Sequence, residues 1–115
     1  MATPHAEPEL RQAEGHWVDV LIRVDFGVKP EFVLTGARWL NEFAYISRSG
    51  VYPGSRVRWL LPETLFERGG TVELALREIS ARDLDLGAWS RMDWSWTAVF
   101  KATTRDGSPY LEPLE

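Results

Sequence analysis

Cysteine is absent from this chain of 115 residues. Its absence excludes disulfides, thiolate nucleophiles and zinc sites built on Cys, and it leaves the redox compartment open. Long apolar runs are also missing. No stretch approaches the roughly 18–20 residues that a helix needs to cross a bilayer. The opening residues, MATPHAEPE, carry neither a basic n-region nor the apolar core of a secretory signal. The expectation is a soluble, cytoplasmic protein with no transmembrane segment.

Histidine is scarce. His5 and His16 are the only two, and neither sits in a motif that would place it between an acid and a nucleophile. Lysine is equally scarce: Lys29 and Lys101 are the only ones, so Arg supplies the rest of the thirteen basic side chains. Arg forms forked hydrogen bonds and stacks on rings, which suits it to protein interfaces. No phosphate-binding glycine loop and no zincin motif is present. The run Asp83-Leu84-Asp85-Leu86-Gly87 opens like a calcium loop, but its fifth position is Gly87 and its twelfth is Trp94, where oxygen ligands are required. Glu63 with Glu67, or Asp83 with Asp93, could pair as catalytic carboxylates. Neither pair lies in a pattern that would raise a carboxyl pKa. The sequence therefore names no catalytic residue, no metal ligand and no cofactor.

What remains is ordinary globular composition with one excess. The chain is 44% hydrophobic and 26% charged, with a net charge of −4 and a pI near 5.2. That balance supports one folded domain and disfavours nucleic acid as a partner. The excess is tryptophan: Trp17, Trp39, Trp59, Trp89, Trp94 and Trp96. Six are more than one small core holds, so some belong at its edge or on a contact surface. Trp17 and Trp89 are the candidates for aromatic contact.

Alternation gives the fold class. Met92, Trp94, Trp96, Ala98, Phe100 and Ala102 alternate with Asp93 through Thr103, as in a strand with one buried face. Val18, Val20, Ile22, Val24 and Phe26 do the same within His16–Phe26. Val57, Trp59 and Leu61 repeat it within Arg56–Leu61, and Val72, Leu74 and Leu76 within Thr71–Ser80. A helical turn is expected in Pro62–Arg68, anchored by Leu65 and Phe66. Asp106-Gly107 signals a hairpin, with an edge strand returning through Pro109 and Leu111. Residues 31–48 read as strands with a kink or bulge near Gly36; the alternative is a helix at about 30–47, which would make the fold α+β. The expectation is a mainly β, single-domain antiparallel sandwich or small barrel over residues 16–111. It is preceded by a flexible, dispensable polar arm at 1–15 and followed by an acidic tail at 112–115.

One patch stands out. Between Glu42 and Glu63 there is no acid, yet Arg48, Tyr52, Arg56, Arg58 and Trp59 fall there. Alternation opposes Arg56 and Arg58 to Val57 and Trp59, so both guanidiniums should point to solvent. Arg48, Tyr52, Arg56 and Arg58 are accordingly the candidate partner-binding residues. The leading functional expectation is a non-catalytic interaction module, a small subunit or accessory protein of a larger assembly, with a protein partner. A homo-oligomer is compatible with it. The alternatives are a carbohydrate-binding module using exposed Trp, and a small-ligand-binding barrel or cofactor-free enzyme.

Overall fold

The computed structural model describes residues 3–4, 8–13, 15–28, 30–39, 42–79 and 94–114. It is a β-sandwich of two antiparallel sheets. The first sheet has β3 (Trp17–Asp25) at its centre. On β3 pair β6 (Arg56–Pro62) and two short N-terminal strands, β1 (Thr3–Pro4) and β2 (Glu9–Gln12). The second sheet runs β5-β4-β7-β8-β9, from β5 (Glu42–Ser49) through β4 (Phe32–Trp39), β7 (Thr71–Ile79) and β8 (Trp96–Arg105) to β9 (Ser108–Pro113). No strand of one sheet pairs with the other among the described residues, so the architecture is a sandwich and not a barrel.

The alternating sets behave as period-two patterns should. Val18, Val20, Ile22 and Val24 of β3 and Val57, Trp59 and Leu61 of β6 face Val72, Leu74, Leu76 and Phe100 of the second sheet. Trp59 is the largest fully buried side chain. Its indole N–H donates to two backbone carbonyls of the opposite sheet, Gly36 O at 3.2 Å and Ala75 O at 3.1 Å. Gly36 and Ala75 are cross-strand partners. In a pleated sheet their side chains point away from the core while those of Ala37 and Leu74 point into it. The core side of this pair is therefore bare backbone, a dip that receives the indole. Trp96 closes the site edge-on, its ring centroid 5.8 Å from that of Trp59.

Residues 31–48 are strands, β4 and β5, and not a helix. The register between them shifts between Ala37 and Arg38, one residue past Gly36, because β5 carries one extra residue there. Helix α1 (Glu63–Arg68) supplies the expected turn, with Leu65 and Phe66 buried. It ends on Gly69, whose left-handed φ of 69° lets its N–H return to Leu65 O. Asp106 and Gly107 both have positive φ, the geometry of a type I′ hairpin turn. β9 follows at the sheet edge with Pro109 and Pro113 in it. No helix among the described residues is long and apolar enough to cross a membrane.

Two expectations need correction. The alternation of Met92 through Ala102 implies one buried face, yet only Phe100 and Ala102 are buried there; Trp94, Trp96 and Ala98 are partly so, and β3, β4, β6 and β7 hold the deepest residues. Met92 and Asp93 lie outside the described residues. Within residues 1–15, expected as a flexible arm, Thr3–Pro4 and Glu9–Gln12 form β1 and β2. The β3 backbone has two edges to satisfy; β6 fills one, and Glu9–Gln12 registers with Leu21 through Val18. Leu10 packs against the core cluster from this strand.

Two outcomes follow. Trp59→Phe should cost about 2–3 kcal/mol in urea titration, from the lost three-centre hydrogen bond and the cavity beside it. Deleting residues 1–14 should lower stability by about 1–3 kcal/mol, since Leu10 and a row of ladder bonds go with it. An unchanged denaturation midpoint would show that β2 contributes nothing.

Candidate functional site

The outer face of the first sheet is set by the same alternation that buries its inner face. Asp19, Leu21, Arg23 and Asp25 of β3 share it with Arg56, Arg58 and Leu60 of β6, and with Glu9 and Arg11 of β2. Arg56 and Arg58 thus lie opposite Val57 and Trp59, as the sequence implies. They are not free of acids, however. Arg58 Nε and Nη2 bond Asp19 Oδ1 at 2.7 and 2.6 Å, and Arg56 pairs with Glu9. The acids come from β3 and β2, strands far away in sequence.

Asp19 is the anchor of this cluster. It points outward yet is only 5% exposed, because Arg58 and Arg11 close over it. Arg11 Nε reaches its other oxygen, Oδ2, at 3.4 Å. The hydrogen bond to Asp19 holds the Arg58 guanidinium above its usual pKa; burial pulls the other way, and a bond with Tyr52 adds to the rise. A raised pKa on a cation contributes stability below the ordinary arginine value and loses it only in strong alkali. The Arg58 charge is therefore constant through the neutral range.

Tyr52 joins the cluster through the turn that follows it. Its N–H and C=O pair with Arg56 across Pro53, Gly54 and Ser55. Gly54 has φ 78° and Ser55 φ 56°, and this tight reversal holds Tyr52 beside β6. Arg11, Asp19, Leu21, Tyr52, Arg56 and Arg58 then line a hollow of about 310 Å³, with Pro53 at its rim. Arg23, directly opposite Arg56 in the ladder, adds a fourth guanidinium to the face.

Three of the four predicted site residues, Tyr52, Arg56 and Arg58, are brought together. Arg48 is not: it lies on β5 of the second sheet, with its guanidinium carbon 5.1 Å from the centre of the Phe32 ring. Trp17 is exposed at the far end of β3, opposite Pro62. It shares the outer face with Asp19, two residues along β3, but it is not among the residues that line the hollow. Trp89 lies outside the described residues, as do Asp83, Asp85, Asp93 and His5. His16 is exposed, with Nδ1 3.5 Å from Glu63 Oε2. Sequence reasoning missed Glu9, Arg11, Asp19 and Arg23. Alternation in β3 does place Asp19 and Arg23 outward, but no local signal brings β2 and β6 to either side of them.

Comparison with protein-family models, with curated proteins and with solved structures found no match.

Asp19→Ala should cost about 2–4 kcal/mol, because it leaves two guanidiniums around an emptied anchor. Arg11→Ala should cost no more than about 0.5 kcal/mol, as this side chain is largely exposed and its contact long. Urea titration of both variants checks the difference, and equal losses would show that Asp19 is not the anchor.

Proposed function

We propose that this chain is a non-catalytic interaction module, and that the outer face of its first sheet receives an acidic segment of a protein partner. The observation that carries this reading is the register of Arg23 against Arg56. Like charges directly opposite on neighbouring strands destabilise a sheet. Here they sit in a chain of net charge −4, beside the guanidiniums of Arg11 and Arg58. Asp19 is covered from above, so the acids that meet solvent on this face are Glu9 and Asp25. Arg56 already pairs with the exposed Glu9; a partner carboxylate placed between Arg23 and Arg56 would compete with Glu9 and gain charge-assisted bonds to both guanidiniums.

The surroundings suit a protein partner. Tyr52 is exposed beside the arginines, and Leu21 and Leu60 are half-buried on the same face. Aromatic and arginine side chains around a small apolar centre are the usual composition of an interface core. The carbohydrate reading rests on exposed Trp, and the exposed Trp17 does not line the hollow that holds Tyr52.

The test is the double reversal Arg23→Glu with Arg56→Glu. Arg58 is left intact, since Arg58→Glu would set a second carboxylate against buried Asp19. The variant should stay folded, with stability within about 1 kcal/mol of the parent. Its partner, recovered from the native source by the tagged parent chain and cross-linked through a photoreactive group at position 52, should associate at least about ten-fold more slowly, most visibly at low salt. Equal recovery and equal association rate with the folded variant would remove this face from consideration.

A further inference from the structure

A larger concavity, of about 470 Å³, opens where α1 meets the end of β4 and the start of β7. It falls within the range of roughly 300–1,000 Å³ typical of small-molecule sites. Its apolar wall is Trp39, Pro62, Leu65 and Val99. Three charges stand around that wall. Arg38 Nη2 and Glu73 Oε1 are bonded at 3.0 Å, so Glu73 is already compensated. The third, Arg68, is exposed and makes no ion pair among the described residues. The cleft therefore carries one net positive charge beside an aromatic and aliphatic surface.

The position of Arg68 is built, not incidental. It is the last residue of α1, and Gly69 turns the chain directly after it. Gly70 then runs so close to Leu65 that a Cβ there would stand 3.3 Å from Leu65 Cδ1. The helix end is thus pressed onto the start of β7, and the Arg68 backbone is held at the rim.

We propose that this cleft binds a small organic monoanion, a planar apolar body bearing one carboxylate. The body lies against Trp39, Leu65 and Val99, and the carboxylate meets Arg68. A dianionic phosphate fits less well, because only one positive charge is in excess and Glu73 stands in the same wall. A neutral apolar molecule would leave Arg68 unused. This inference is independent of the partner-binding face, which lies on the first sheet.

The experiment is a two-dimensional NMR titration of the full chain with 3-phenylpropionate and with its neutral amide, 3-phenylpropanamide. The carboxylate should give saturable shifts at the Trp39 indole N–H and at the Leu65 and Val99 amides, with a Kd of about 1 mM for so small a probe. Affinity should fall about ten-fold for the amide and for Arg68→Gln, and Arg68→Lys should recover most of the loss. The inference is overturned by the absence of saturable shifts, by shifts confined to Tyr52 and Arg56, or by equal affinity for the amide or in Arg68→Gln. The thermal midpoint of each variant, unchanged for a rim residue, guards against misfolding as the cause.

Discussion

One side chain ties the two sheets together. Trp59 reaches from β6 into the dip over Gly36 and Ala75, and its N–H is satisfied by both of their carbonyls. A buried indole without an acceptor would be costly, so the bond fixes where β6 can sit against β4 and β7. Period-two geometry then leaves no freedom on the other face. With Trp59 pointing in, Arg58 must point out, and with Val57 in, Arg56 must be out. The candidate partner surface is in this sense a consequence of core packing. A one-residue slip of β6 would bury both arginines and expose the indole.

The surface has its own order of dependence. Asp19 is excluded from water only because Arg58 and Arg11 cover it, and Arg58 is held rigidly because Asp19 lies beneath. A guanidinium already fixed by a buried carboxylate loses little rotamer freedom when a partner arrives, which lowers the entropic cost of association. Arg56 is held differently. Its acid, Glu9, belongs to a short edge strand and is itself exposed, so that pair contributes little to folding and can open to a competing carboxylate.

How far the residues announced this arrangement depends on how local each feature is. β3, β6 and β7 each carry unbroken alternation, and Asp106-Gly107 demands a left-handed turn; these were legible. The strand identity of β4 and β5 is nearly so, since aromatic content and Thr35-Gly36 favour strands over the alternative helix, and the extra residue in β5 is the bulge expected near Gly36. Glu-Leu-Arg-Gln of β2 has one large apolar residue and no alternation to read. It is a strand because β3 has an open edge, which is a property of another segment. Asp19 gives the same lesson at the site. Its partner Arg58 is thirty-nine residues away, and neither sequence neighbourhood shows that a carboxylate and a guanidinium will meet. The cleft beneath α1 is assembled from α1, β4, β7 and β8, so no single stretch encodes it.

The prolines of β9 have a consequence for how this protein behaves in a crowded solution. β9 is the last strand of a five-stranded sheet, and two of its six residues, Pro109 and Pro113, have no N–H. An unpaired strand edge is a template on which another copy can continue the sheet, and a growing stack of such copies is how β proteins form fibres. The Leu114 N–H donates to Val99 O, so the even-numbered residues of β9 face β8 and positions 109, 111 and 113 face the open edge; with two of those three donors removed, the edge is a poor template. The hairpin that completes the second sheet therefore also terminates it, and self-association by strand addition is discouraged at β9 by the covalent structure of the chain itself.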